Sequence, residues 1–312
     1  MPHGSRPPYA RRSRATSRSQ ASFDHHVVAS LDGTPIAYAT AGRWDDPEAA
    51  TIVLANGLGG TGVAWAHQVG HLCDRYRFVT WDYRGLFRSG RPRDPHAFTV
   101  ADQVDDLFAV LEAVGVREAV LMGWSMGVQV SLEALRRRPS LARALVLLNG
   151  TFGRPFHTLP GGVVAAHLVP RVLKVLRRFH RFSAQAMNTV AAWPETIGWL
   201  KALGVVGDTL DEQVFADVVA EFSTMDMDAY FRTLHALGEH DAMDVLPTIH
   251  VPTFIVAGER DRMTPQKAAK KIAAQIPDSE LLVVTGGTHY VAIEFPELVN
   301  LAIERFLAKH GI

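Results

Sequence analysis

Short apolar runs alternate with longer segments of helical periodicity along most of this chain. Six of these runs are rich in β-branched and other large apolar residues, which is typical of buried strands. They cover residues 51–56, 77–82, 119–123, 144–149, 253–257 and 281–285. Because strands that alternate with helices build parallel sheets covered on both faces, the pattern predicts an α/β fold. Two earlier runs, 26–31 and 35–40, flank the turn Asp32-Gly33 and predict a hairpin, so we expect a mostly parallel sheet of eight strands.

The alternation stops between residues 151 and 248, where helical stretches replace the strands. We expect helices at 163–182, 211–222 and 228–237, although Pro170 would end or kink the first of them. Since this insert falls between two strands, we expect it to cover the carboxyl edge of the sheet, where α/β proteins bind ligands. The expected organisation is a disordered basic tail at 1–22, a core formed by 23–150 and 249–312, and a helical cap at 151–248.

The strongest chemical signal is the sequence Gly123-Trp124-Ser125-Met126-Gly127, which joins an expected strand to an expected helix. This is the context of a nucleophile elbow, in which a sharp turn holds a serine hydroxyl above the end of the sheet. Glycine fits on both sides because a Cβ would clash with the neighbouring strand or helix. The helix N-terminus and the amide of Met126 would stabilise negative charge beside the serine. We therefore expect Ser125 to act as a nucleophile.

A serine nucleophile needs a base, and the base needs an acid to orient it. His289 follows the last expected strand, and Asp261 follows the strand before it. The chain order of Ser125, Asp261 and His289 is one of the known orders of such triads. Glu259 is the alternative acid, whereas Asn149, which also follows a strand, carries no charge and is a poor candidate.

From about residue 25 to residue 312 the chain resembles the α/β-hydrolase superfamily with a helical cap. The resemblance rests on five motifs that follow expected strands: N-G-x-G-G from Asn56, D-Y-R-G from Asp82 with Ser89, G-W-S-M-G from Gly123, G-E-R-D from Gly258 and G-G-T-H from Gly286. This similarity implies that Ser125 is the nucleophile, His289 the base and Asp261 its partner. It also implies that the backbone amides of Leu58 and Met126 form the oxyanion hole.

The chain departs from the family pattern at two places. Asn56 stands where the family usually has a histidine before the oxyanion loop, and Leu86-Phe87 stands where the family has His-Gly. Neither change removes a catalytic atom, because the oxyanion donors are backbone groups. Both changes concern the support of that loop.

A second motif points to another class of enzyme. Residues 57–62 satisfy the G-x-G-x-x-G pattern of dinucleotide-binding loops, and Asp82 lies 20 residues after Gly62. An NAD-dependent oxidoreductase is therefore the distant alternative. However, two strands precede the loop, the D-Y-R-G turn already explains Asp82, and this interpretation leaves the three expected catalytic residues without a role.

Composition excludes several other classes of protein. Of the 312 residues, 47% are apolar and 21% are charged, which is the balance of a folded globular protein. The 32 basic and 32 acidic side chains leave no net charge, which argues against nucleic acid as the main partner. The single cysteine, Cys73, cannot form an internal disulfide. His67 and His71 lack a third ligand at useful spacing, so we expect neither a metal nor a cofactor.

The zero net charge conceals an uneven distribution. Residues 1–22 contain five arginines and residues 151–194 contain six basic residues, and neither segment contains an acid. Part of the second segment, 163–182, predicts a basic amphipathic helix that could meet an anionic membrane surface or an anionic substrate. The simpler interpretation is a cap helix with its apolar face over the active site. We expect a cytoplasmic location, with organelle import as an alternative because of the arginine-rich start.

These features predict a serine hydrolase that cleaves carboxylic esters with an apolar acyl or alcohol part through an acyl-enzyme. Trp193, Trp199, Phe222, Met225 and Met227 in the cap suggest an apolar pocket. The resemblance also allows cofactor-free perhydrolases or haloperoxidases, C–C bond hydrolases and thioesterases, which use the same serine arrangement. A binding role without catalysis is disfavoured by the complete triad.

Overall fold

The computed structural model describes residues 22–158, 162–179 and 196–312, and eight strands in these residues form one sheet. The strands are β1 (Asp24–Ala29), β2 (Pro35–Gly42), β3 (Thr51–Ala55), β4 (Arg77–Trp81), β5 (Ala119–Trp124), β6 (Ala142–Leu148), β7 (Thr253–Gly258) and β8 (Ser279–Val284). Their order in the sheet is β1-β2-β4-β3-β5-β6-β7-β8. The pairs β1–β2 and β2–β4 are antiparallel and all other neighbours are parallel. The predicted sheet is therefore confirmed.

Helices cover both faces of this sheet. The helices are α1 (Ala66–Leu72), α2 (Val100–Ala113), α3 (Met126–Arg137), α4 (Pro155–Thr158), α5 (Gly162–Arg178), α6 (Thr196–Ala202), α7 (Glu212–Phe222), α8 (Met227–Glu239), α9 (Gln266–Gln275), α10 (Val291–Glu294) and α11 (Pro296–Lys309). Residues of α2, α3 and α9 share one buried apolar cluster, and residues of α1 and α11 share the cluster on the other face. Every residue of β3 and β7 is buried, as expected for parallel strands packed on both sides.

In its described residues the segment between β6 and β7 contains the helices α4 to α8 joined by loops, and it adds no strand to the sheet. The helix expected at 163–182 is α5, and it continues through Pro170 instead of ending there. Its expected last residues, 180–182, lie outside the described residues, as do Trp193 and all of the expected tail except Ser22. The short helices α4 and α6 were not predicted. No helix in the described ranges is long and apolar enough to cross a membrane.

The turn after β4 is held by a buried arginine. The Arg84 side chain is 2% exposed, and its Nε and Nη2 donate to the two carboxylate oxygens of Asp106 at 2.8 and 2.5 Å. Its Nη1 also donates to Asp32 at 3.0 Å in the hairpin turn between β1 and β2. One guanidinium therefore joins the hairpin, the turn after β4 and helix α2. The planar five-donor group suits this bridging role.

Removing the carboxylate of Asp106 should leave the Arg84 guanidinium buried without its main partner. We expect Asp106→Ala to lower the free energy of unfolding by about 3–5 kcal/mol. The neighbouring Asp105→Ala is a matched control, since Asp105 pairs with the half-exposed Arg137; its loss should cost about 1 kcal/mol or less. Urea unfolding of both variants measures the difference. Equal losses in the two variants would contradict the structural role of the buried pair.

The same turn buries a second carboxylate, Asp82, which is 7% exposed. Burial raises the pKa of Asp82 from 3.8 to about 6, although the backbone amide of Arg88 donates to the carboxylate at 3.1 Å and the Arg88 charge favours ionisation. Between these two values the folded protein keeps a proton on Asp82 that the unfolded chain has released. The contribution of Asp82 to the stability of the fold therefore falls as the pH rises from 3.8 to about 6.

Replacing Asp82 by a residue that does not titrate should remove this pH dependence. The quantity to compare is the free energy of unfolding of Asp82→Asn minus that of wild type. We expect this difference to be larger at about pH 7 than at about pH 4, by on the order of 1–3 kcal/mol. Urea unfolding across this range tests the expectation, with the exposed Asp278→Asn as a control. A difference between Asp82→Asn and wild type that is constant with pH would contradict it.

Candidate active site

Ser125 occupies a strained turn between β5 and α3. Its backbone has φ 56° and ψ −114°, a conformation that is unfavourable for a residue with a side chain. A Cβ at Gly123 would overlap the carbonyl group of Gly127, and a Cβ at Gly127 would overlap the carbonyl oxygen of Ala55. The turn therefore requires both glycines, and it directs the serine away from the packed interface between α3 and the sheet.

His289 and Asp261 meet at the same edge of the sheet. They lie in the loops after β8 and β7, and the Nδ1 atom of His289 is 2.8 Å from Oδ2 of Asp261. The two side chains are 4% and 0% exposed. If Nδ1 donates to the carboxylate, Nε2 is left as the free basic nitrogen, which is the tautomer that a general base requires.

The carboxylate of Asp261 is fully surrounded by donors. Besides His289, it accepts hydrogen bonds from the Thr264 hydroxyl at 2.6 Å, the Thr264 amide at 2.8 Å, the Met263 amide at 2.8 Å and the Asn149 side chain at 2.7 Å. Burial acts to raise the pKa of Asp261, but the charge of His289 and the hydrogen bonds from His289 and Thr264 outweigh it and hold the pKa below 3.8. Asp261 is therefore ionised at neutral pH, as an orienting acid must be.

The two other residues weighed for the acid role occupy different positions. Glu259 is exposed and accepts a hydrogen bond from the amide of Gly286 at 2.9 Å, on the outside of the loop. Asn149, which has φ 44°, donates to both Asp261 and the carbonyl of Thr288. The geometry thus favours Asp261 over Glu259, and it gives Asn149 a positioning role that its lack of charge did not indicate.

Ser125 and His289 line one cavity of about 280 Å³ below the cap. The described residues that line it are Gly57, Leu58, Trp124, Ser125, Pro155, Phe156, Tyr230, Leu234, Leu237, Arg262, Met263, Thr264, His289 and Tyr290. Among the described residues, no hydrogen bond joins the Ser125 hydroxyl to His289. Such bonds are often long in an enzyme without substrate, so the shared cavity is the informative observation.

Of the two expected oxyanion donors, Leu58 lines this cavity and Met126 directly follows Ser125. Met126 is the first residue of α3, where amides have no partner within the helix. Neither amide donates to a backbone carbonyl in the turns and loops of the described chain. An oxyanion hole above Ser125 requires amides without such partners.

Asn56, one of the two departures from the family pattern, supports the oxyanion loop. Its side chain donates to the carbonyl of Trp81 at 2.8 Å and accepts from the indole of Trp65 at 2.9 Å. The Tyr83 hydroxyl donates to the backbone carbonyl of Asn56 at 2.6 Å. Asn56 is 1% exposed, so water does not reach its polar atoms and these hydrogen bonds satisfy them instead. The asparagine is thus a satisfied structural element of the loop.

Trp124 and Glu294 also shape the site, and sequence reasoning missed both. The Trp124 indole donates to the carbonyl of His289 at 3.0 Å, and its ring packs so closely that a Cβ at Gly57 would clash with it. Glu294, which is 3% exposed, accepts from the Thr288 amide at 2.7 Å and from the Gly207 amide of the cap at 2.6 Å. The position of Trp124 within the G-x-S-x-G motif could have pointed to its role, whereas no local pattern marks Glu294.

The cap contributes an apolar wall with two tyrosines near it. Phe156 of α4 and Leu234 and Leu237 of α8 line the cavity beside Tyr230 and Tyr290. Burial raises the pKa of each tyrosine to about 12, so both hydroxyls keep their protons at neutral pH and can donate hydrogen bonds.

The apolar pocket expected from the sequence is present, but other residues form it. Met225 and Met227 are buried in the core, Trp199 is 65% exposed, and the ring of Phe222 packs against the backbone of Gly59. None of these four cap residues is among the described residues that line the cavity. Neither do the described residues contain a group of three or more histidine, cysteine, aspartate or glutamate residues that could hold a metal ion.

Comparisons with known proteins concern the family and the fold of this chain. The sequence profile of a family described as "alpha/beta hydrolase fold" matches residues 50–296. A relative from Caulobacter sp. (strain K31), named "Putative carbamate hydrolase RutD", is 28% identical over 83% of this chain and 90% of its own length.

Two solved structures have a similar fold. An esterase from Thermogutta terrifontis has a TM-score of 0.69 and 23% identity over 92% of this chain and 99% of its own. A bromoperoxidase from Bacillus anthracis has a TM-score of 0.74 and 18% identity over 91% of this chain and 100% of its own. At these identities the likeness concerns the fold alone.

If Asp261 orients His289, Asp261→Asn should lower kcat by about 10³–10⁴-fold with little change in KM, because the amide favours the wrong tautomer of the histidine. Glu259→Gln is the matched control and should change kcat by about twofold or less. Steady-state kinetics on a p-nitrophenyl ester measures both variants. A larger loss in Glu259→Gln than in Asp261→Asn would reverse the assignment.

Proposed function

The chain belongs to the α/β-hydrolase fold family, and we propose that it is a serine hydrolase that cleaves carboxylic esters with an apolar acyl or alcohol part. The observation that carries this proposal is the His289–Asp261 hydrogen bond at a cavity that Ser125 also lines. The apolar side chains at the cavity, among them Phe156 and Leu234, suit a hydrocarbon substituent.

In the first half of the proposed reaction, His289 accepts the proton of Ser125 as the serine oxygen attacks the ester carbonyl. The electron pair of the carbonyl moves to its oxygen, and the amides of Leu58 and Met126 stabilise the resulting oxyanion. The tetrahedral intermediate then expels the alcohol, which takes its proton from His289. The negative carboxylate of Asp261 stabilises the imidazolium that exists between these two proton transfers.

In the second half, water replaces the alcohol in the cavity. His289 removes a proton from the water, which attacks the acyl group on Ser125 and forms a second oxyanion at the same two amides. Collapse of this intermediate breaks the bond between the acyl carbon and the serine oxygen, and His289 returns the proton to Ser125. The products are a carboxylic acid and the free enzyme.

A carbamate hydrolase is the second candidate. It is favoured by the relative from Caulobacter sp. (strain K31), whose name states that activity and which covers most of this chain. Carbamates present the same carbonyl carbon to Ser125, so the same residues would form a carbamoyl-enzyme. The two candidates differ in the group bonded to that carbonyl carbon, which is a nitrogen in a carbamate and a carbon in a carboxylic ester. A comparison of substrates is therefore the direct test.

If Ser125 is the nucleophile, Ser125→Ala should lower kcat/KM on p-nitrophenyl butyrate by at least about 10³-fold, because neither base nor acid can replace it. The same variant should lose labelling by a fluorophosphonate. Ser223→Ala, which changes a partly buried serine after α7 that does not line the cavity, is the control and should keep full activity. Substantial ester hydrolysis by Ser125→Ala would refute the acyl-enzyme mechanism.

A panel of p-nitrophenyl esters of rising acyl length, assayed beside carbamates and beside peroxide-dependent halogenation, separates the ester candidate from the carbamate candidate. We expect kcat/KM to rise by up to about fourfold for each added methylene until the cavity is filled. Faster turnover of carbamates than of every ester would favour the second candidate. Activity confined to peroxide-dependent halogenation would indicate a perhydrolase on the same fold.

A further inference from the structure

One side of the cap helix α5 carries large apolar side chains that face water. The side chains in this stripe are between 39% and 71% exposed: Val164, Leu168, Val172, Val175, Leu176 and Phe179. They recur at spacings of one, three or four residues, so they form one continuous stripe along α5 and the residue after it. Single exposed apolar residues are normal on protein surfaces, but a contiguous row marks an interaction surface.

The stripe is a second apolar side of α5, distinct from the side that packs on the protein. Leu173 is 6% exposed and Val169 is partly buried, and both belong to the main apolar cluster of the fold. The simpler interpretation of the sequence, in which the apolar face of this helix covers the active site, therefore applies to these inner residues and not to the stripe. None of the described residues that line the active-site cavity comes from α5.

Basic side chains lie along the edge of the stripe. Arg171, Lys174 and Arg178 follow one another at spacings of three and four residues, so they share one flank of α5. All three are exposed, and none of them forms an ion pair with a residue in the described ranges. Arg177, which points to a different side, lies 3.7 Å from Asp228 of α8. The surface thus combines exposed hydrocarbon with positive charges that no described acidic residue pairs with.

We propose that the α5 stripe binds an anionic lipid surface. A helix with this arrangement lies in the membrane interface, with its apolar side chains among the upper acyl chains and its basic groups at the phosphates. Arginine and lysine fit this position because their aliphatic stems can lie along apolar surface while their charges reach the headgroups. A second copy of the chain is a poorer occupant, because pairing two stripes would bring two rows of positive charge together.

The position of α5 relates this surface to the active site. The helix packs against α4 and α8, and these two helices carry Phe156, Leu234 and Leu237 of the cavity wall. A protein bound through α5 would therefore hold its cavity close to the lipid, where apolar esters concentrate. The stripe and its basic flank do not involve Ser125, so the lipid proposal and the proposed hydrolase activity can fail separately.

Flotation of the full chain with vesicles tests the proposal. We expect binding to vesicles of phosphatidylcholine with roughly one third phosphatidylglycerol, and at least about tenfold weaker binding to pure phosphatidylcholine. Binding should also fall severalfold between about 0.05 M and about 0.5 M NaCl, because salt screens the headgroup charge. Equal binding to both vesicles, or no binding to either, overturns the proposal.

Variants of the stripe identify the surface responsible. Leu168→Ser with Val175→Ser should weaken binding to the anionic vesicles by at least about tenfold, since two apolar contacts are lost. Lys174→Gln with Arg178→Gln should weaken it by about fivefold for each charge removed. Leu301→Ser is the matched control. Leu301 lies on α11 of the core and is 61% exposed, against 54% for Leu168. This variant should bind the vesicles like wild type.

Two further measurements test whether the stripe variants stay folded and whether α5 itself contacts the lipid. The stripe variants should unfold cooperatively in urea near the wild-type midpoint, which shows that they remain folded whether or not the protein hydrolyses esters. If the stripe variants bind vesicles as well as wild type does, another basic segment such as residues 1–22 is responsible and the assignment to α5 is wrong. A dimer in light scattering that the stripe variant Leu168→Ser with Val175→Ser abolishes would assign the surface to a second copy, which also overturns the proposal.

Discussion

The close approach of α3 to the end of β3 is the contact on which the rest of the site depends. Gly127 lies so near the carbonyl oxygen of Ala55 that any side chain there would overlap it. The same contact sets the left-handed conformation of Ser125 at the start of α3 and the position of Asn56, from which the loop with Leu58 begins. The expected nucleophile and the expected oxyanion donors are therefore held by one interface, which is the preorganisation that oxyanion stabilisation requires.

Local patterns were sufficient to predict the sheet and the candidate triad. Buried parallel strands appear as continuous apolar runs, and the residues just after them meet at one edge of the sheet, as Ser125, Asp261 and His289 do. The roles of Asn56 and Glu294 could not be predicted in this way. Glu294 accepts a hydrogen bond from the amide of Gly207, which is 87 residues away in the chain, and only the folded cap brings the two together.

The cap shows a different limit of sequence reasoning. Its composition correctly indicated an apolar pocket, but Met225, Met227 and Phe222 are not among the described residues that line it, whereas Leu234 and Leu237 are. Met227 lies seven residues before Leu234, so both point to nearly the same side of α8, and the position along the helix decides which of them reaches the cavity. That position depends on packing against the core and the other cap helices. The basic amphipathic helix expected at 163–182 shows a related limit, since periodicity does not tell which apolar side of a helix is covered.

The cap and the loop that carries His289 share one carboxylate, which ties the position of part of the cap to that loop. Glu294 accepts hydrogen bonds from Gly207 in the cap and from Thr288, the residue before His289. Arg262, which follows Asp261, donates to the carbonyl of Leu203 in the cap at 3.2 Å. A movement of this part of the cap therefore changes hydrogen bonds on both sides of the His289–Asp261 pair. In the proposed hydrolase the reacting groups lie in the core and much of the apolar wall lies in the cap, so these shared contacts join the two.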